Sequence, residues 1–125
     1  MDKPPDLGER LLSYAATIVK TVDVLPRNLV GSRVGDQLLR SGMAVGAHYE
    51  EAQAAESRED FAHKLQIALK ELRESNYWLR LLIKSGTLPS GRLAELLNES
   101  MQLRAILSKA VAKTKGTDKS SERTI

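Results

Sequence analysis

The sequence has no cysteine in its 125 residues. That absence excludes disulfide frameworks, thiolate zinc sites, iron–sulfur clusters and cysteine nucleophiles together, and it fits a reducing compartment. Aromatics are scarce at 4%: one Phe, one Trp and three Tyr. No apolar run approaches the roughly 18 residues of a membrane span. The opening residues Met1-Asp2-Lys3-Pro4-Pro5 lack the apolar segment of a secretory signal. A cytoplasmic protein is expected. No segment alternates like a strand, and there is no Gly-x-Ser-x-Gly elbow or phosphate-binding glycine loop. What is present is ordinary: 42% hydrophobic and 28% charged residues, in a chain of one domain's length.

The apolar residues recur at helical spacing in four segments, predicted at about 7–24, 29–54, 58–85 and 91–113. Asp6 with Glu9, and Ser57 with Asp60, read as helix starts. Leu25-Pro26 breaks the first helix from the second, because proline cannot continue the hydrogen-bond ladder. Gly86 reads as the stop of the third helix, and Gly116 as the stop of the fourth. Short links between long helices predict an all-α, antiparallel, up-down-up-down four-helix bundle over 1–116. Residues 117–125 hold one apolar residue in nine and are expected to be a disordered basic tail. The second helix carries a buried stripe of Val30, Val34, Leu38, Gly42, Val45, Tyr49 and Ala52. Its glycines at 35, 42 and 46 each cost up to about 1 kcal/mol against alanine. Close approach of another backbone is the natural compensation.

Net charge is +3, from 19 Lys+Arg against 16 Asp+Glu. The excess lies in residues 104–125, while residues 50–60 are acidic. In an up-down bundle that acidic turn and the basic tail share one end. The other end collects Arg27, Arg33, Arg80, Lys84 and Arg92. Two basic surfaces are therefore candidates for nucleic-acid binding: those five residues, and Lys109, Lys113, Lys115 and Lys119.

Helix bundles also host metal sites built on i, i+3 carboxylate–histidine pairs. Here Asp60 and His63 have that spacing, and His48 and Glu51 reverse it across the second turn. Their place beside an exposed turn favours capping and surface roles, so no metal or cofactor is expected. Tyr77-Trp78 places two large aromatics side by side on a helix, where at most one faces the core. The outward one suggests a contact with another subunit.

The run Leu38-Leu39-Arg40-Ser41-Gly42-Met43-Ala44-Val45-Gly46-Ala47-His48-Tyr49-Glu50-Glu51-Ala52 resembles the second-helix signature of the ribosomal intervening-sequence protein family. So does Ser57-Arg58-Glu59-Asp60-Phe61, followed by Leu65, Ile67, Ala68, Leu72, Glu74 and Tyr77-Trp78-Leu79. Members are encoded in insertions within bacterial 23S ribosomal RNA genes or stand free as "four helix bundle proteins". The family signature often has Asn where His48 stands, which asks for no metal there. The resemblance covers about Leu11 to Lys113. It implies a left-handed bundle and assembly into a homopentamer. More distantly it implies likeness to the accessory protein of diversity-generating retroelements, a basic pentamer that binds nucleic acid. The expected protein is non-enzymatic and oligomeric, with RNA or DNA as partner. The alternative is a protein-interaction scaffold without nucleic-acid affinity. A subunit interface is expected at Gly42 and Gly46 with Tyr77 or Trp78.

Overall fold

Side-chain caps set three of the helix starts. In the computed structural model, which describes residues 6–123, α1 spans Leu7–Asp23, α2 Leu29–Gln53, α3 Arg58–Lys84 and α4 Ser90–Arg123. Asp6 accepts from the Glu9 N–H, Asn28 from Gly31 and Ser57 from Asp60. Each such cap stabilises by about 1 kcal/mol. α3 ends where Gly86 turns to φ +69°, with Thr87 N–H donating to Leu82 and Gly86 N–H to Ile83. This paired closure satisfies the last carbonyls of the helix and needs a residue that tolerates positive φ.

α2 packs against α1 and α3, α3 packs against α4, and α1 and α4 meet more sparsely. The result is the expected all-α four-helix bundle, with no strand among the described residues. Leu11, Ile18, Leu38, Val45, Leu65, Leu72, Leu79, Leu82, Leu103 and Leu107 are fully buried along its axis. A polar layer crosses the middle. The Tyr14 hydroxyl pairs with Ser75 Oγ at 2.8 Å, and Asn76 donates to Ser100 Oγ at 3.2 Å. All four residues are buried, so each lost partner would leave an unsatisfied group. Burial also pushes the Tyr14 hydroxyl pKa above its ordinary value. Between α1 and α4, Arg10 bridges to Glu99 at 2.7 Å.

Three sequence expectations change. Val30 is exposed rather than part of the buried stripe, and Gly31 takes the inward position. The helix turns that residue inward only where Pro26 leaves no room for a side chain. α4 runs to Arg123, past Gly116 and through much of the segment expected to be disordered. A lone glycine lowers helix propensity without ending a helix, and no proline follows it. Residues 124–125 of that segment lie outside the described residues. Gly42 and Gly46, expected between subunits, are covered by α1 instead. A Cβ on Gly42 would stand 2.9 Å from the Ile18 branches, and one on Gly46 would stand 3.6 Å from Leu11 Cβ. The close approach that the glycines allow is thus between α1 and α2 of the same chain.

Candidate nucleic-acid interface

α3 sorts its charges by sign. Its acids and bases alternate in sequence, but a helix places them on different faces. Glu71 is buried and accepts from Arg40 Nη1 at 2.9 Å. Glu74 also binds Arg40, and it accepts from Trp78 Nε1 at 3.1 Å. Asp60 pairs with Lys64 at 3.1 Å. The α2-facing side of α3 thus consumes Glu71 and Glu74, and Asp60 is bound within α3, while Glu59 stays exposed at the second turn. Lys70, Arg73, Arg80 and Lys84 remain on the outer face, all exposed and in no ion pair among the described residues. With Tyr77 between them their spacing is 3, 4, 3, 4, which is one straight stripe. Along the axis it measures about 21 Å at 1.5 Å per residue.

Among the described side chains, α4 adds no acid to this face. Asn76 Nδ2 meets Met101 Sδ at 3.0 Å, which fixes the facing register of the two helices. The exposed residues on Met101's stripe are Ala94, Asn98, Met101 and Ala105. Arg104, one turn beyond Met101, adds a further cation. The outer face of the α3–α4 pair is basic, with neutral ground beside it.

Arg40 is the keystone of the sorting. Its side chain is half exposed, while that of Glu71 is only 11% exposed. Arg40→Met should lower stability by about 2 kcal/mol. Breaking a fully buried pair costs about 3–5 kcal/mol, and water reaching the exposed partners reduces it. Chemical denaturation followed by Trp78 emission measures both the loss and the release of the indole from Glu74. An unchanged midpoint would remove this role from Arg40.

The remaining sequence candidates fall into three groups. Arg27, Arg33 and Arg92 are exposed at the end that holds the first and third turns, and the α3 stripe reaches that end through Arg80 and Lys84. At the other end an open groove brings Glu56, Arg58 and Glu59 together with Lys113 and Lys115. The acidic turn and the basic tail are neighbours, as expected, so cations there face carboxylates. Lys109 is exposed on α4, and the side chain of Lys119 lies outside the described residues. His48, Glu51, Asp60 and His63 do not assemble: His48 Nδ1 stands 3.5 Å from Glu51, and Asp60 is bound to Lys64. No group of three or more metal-ligating side chains occurs among the described residues. Tyr77 is 54% exposed, whereas Trp78 is partly buried against the core. Lys70 and Arg73 escaped the sequence reading because they alternate with Glu71 and Glu74. Their spacing to Tyr77, Arg80 and Lys84 was the available signal.

Comparison with known families places this geometry. The family model described as "23S rRNA-intervening sequence protein" matches residues 9–109. The chain belongs to that family. The match takes in nearly all of α1 through α3 and most of α4. A solved structure from Bacteroides thetaiotaomicron, described as a protein of unknown function from the S23 ribosomal protein family, is 34% identical. The similarity covers 85% of this chain and 98% of that one, with a TM-score of 0.75. No curated protein matches. Neither description names a reaction. No helix among the described residues is long and apolar enough to cross a membrane.

Proposed function

We propose that the protein is a non-enzymatic, cytoplasmic, homo-oligomeric nucleic-acid-binding accessory, and that the outer face of α3 carries the binding. The observation that carries this reading is the charge sorting. Lys70, Arg73, Arg80 and Lys84 project without ion-pair partners among the described residues, while the carboxylates interleaved with them are bound by Arg40. Phosphates are the natural ligands of such a stripe. The family's association with insertions in ribosomal RNA genes makes RNA the first choice of probe. Assembly into a ring of five, which the resemblance implies, would repeat the stripe five times and convert weak contacts into avidity.

An apolar surface supports self-association. Leu12, Val19 and Met43 are 63%, 47% and 50% exposed. Each follows by one position a residue of the α1–α2 seam: Leu11, Ile18 and Gly42. In an antiparallel pair that offset turns all three to the same outer side. Asp23, Asp36 and Glu50 share the offset and rim the patch with acid.

That rim favours a second reading. The acidic, apolar α1–α2 face of one copy complements the basic α3–α4 face, with Tyr77, Leu81 and Met101, of another. The protein would then be a scaffold whose cations serve subunit contacts. Light-scattering mass, alone and with structured RNA, separates the two. Four phosphate contacts predict a slope of about −3 for log affinity against log salt. Affinity should fall about fiftyfold between 50 and 200 mM salt. A constant oligomer mass that ignores RNA at both salts would leave the scaffold standing.

A further inference from the structure

If α3 binds nucleic acid as proposed above, the geometry points to unpaired nucleotides as its ligand, with Tyr77 as the platform on which a base stacks. Tyr77 is more than half exposed at the centre of the basic stripe. Its ring is nonetheless held: it meets Trp78 edge to face, with centroids 5.1 Å apart and planes at 76°. Trp78 donates its indole N–H to Glu74, and Glu74 is bound by Arg40. One chain of contacts from α2 thus braces an aromatic that projects to the outside. A braced aromatic loses little conformational freedom when a base settles on it.

The cations flank this ring on both sides. Arg73 precedes Tyr77 by one turn and Arg80 follows it by nearly one, about 10 Å apart along the axis. Lys70 and Lys84 extend the track at each end. Leu81, 37% exposed, lies one turn beyond Tyr77 and broadens the apolar ground. Phosphates of a duplex or a single strand can meet the Lys and Arg side chains equally well. An unpaired base has a free face to offer Tyr77, whereas the pairs inside a duplex are stacked on both sides and only its two ends expose one. Cations around an exposed aromatic therefore predict selectivity for single strands or loops.

The test compares the full chain on a labelled oligouridylate and on a blunt RNA duplex of equal nucleotide count, at about 50 mM salt. Wild type should bind the single strand about tenfold more tightly. Tyr77→Ala should lose about that factor on the single strand, keep its duplex affinity and keep the salt slope. Tyr77→Phe should restore single-strand binding, because the ring and not the hydroxyl stacks. Trp78, the only tryptophan, should change its emission with the single strand and not with the duplex. Equal wild-type affinity for both probes would overturn the inference, as would equal weakening of both by Tyr77→Ala. A change of oligomer mass in Tyr77→Ala would also overturn it, placing the ring in a subunit contact. Binding abolished by reversal of the α3 cations but untouched by Tyr77→Ala would sink this inference alone. No binding of either probe would sink both it and the α3 reading.

Discussion

Gly31→Ala should destabilise the protein by about 3 kcal/mol, lowering the melting temperature by about 10 °C. A Cβ at this position would stand 1.9 Å from the Pro26 carbonyl oxygen and 3.0 Å from its carbon. Both are backbone atoms, so no rotamer change relieves the clash and the turn itself must move. That turn includes Asn28, whose side chain caps α2 by accepting from the Gly31 N–H at 2.9 Å. Displacement thus endangers a cap worth about 1 kcal/mol as well. The control is Gly46→Ala, where the nearest atoms of Leu11 lie 3.6 Å away or more. That is ordinary contact, so the gain in helix propensity should prevail, at about 0.5–1 kcal/mol of stabilisation. Thermal melts of the two variants should move in opposite directions. A shared sign would refute the steric argument.

Reversing the α3 stripe should abolish nucleic-acid binding while leaving the fold intact. In the variant with Glu at Lys70, Arg73, Arg80 and Lys84, four attractive phosphate contacts become repulsive. At about 50 mM salt affinity should fall at least a hundredfold. All four side chains are exposed and lie outside the ion pairs of the described residues, so the melting temperature should move little. The comparison variant reverses Arg27, Arg33 and Arg92 at the adjoining end. It should cost less, because those residues lie off the α3 track. Equal losses in the two variants would mean that total charge decides binding and position does not. Retained RNA binding with a broken oligomer in the first variant would establish the scaffold reading instead.

Much of the bundle was legible beforehand because its signals are local. A capping Asp6 or Ser57 needs only the N–H three residues on, and Gly86 closes α3 through bonds within one turn. Pro26 acts on its own segment. The metal candidates show the opposite case. Positions 48, 51, 60 and 63 flank one turn, but no three of them gather among the described residues, and Asp60 is bound to Lys64 on its own helix. Of the α2 glycines read as needing a close neighbour, Gly42 has one at 2.9 Å from its Cβ position, whereas a Cβ on Gly46 would meet only ordinary contact. Which neighbour fills the space, α1 or a second subunit, is a tertiary fact, and it is α1.

The amino-acid order determined the four helices, most of their ends, the antiparallel hairpin path and the family, because period, caps and breakers act over a few residues. Only the folded chain decided which charges remain free. Lys70 and Glu71 are neighbours in sequence, yet one faces solvent and the other is buried against Arg40. A helix turns about 100° per residue, so adjacent charges part company, and only the packing of α2 reveals which of them is neutralised. The same packing holds Trp78 inward and leaves Tyr77 outside. Charge pairing and exposure are contacts between distant segments, and no local pattern specifies them.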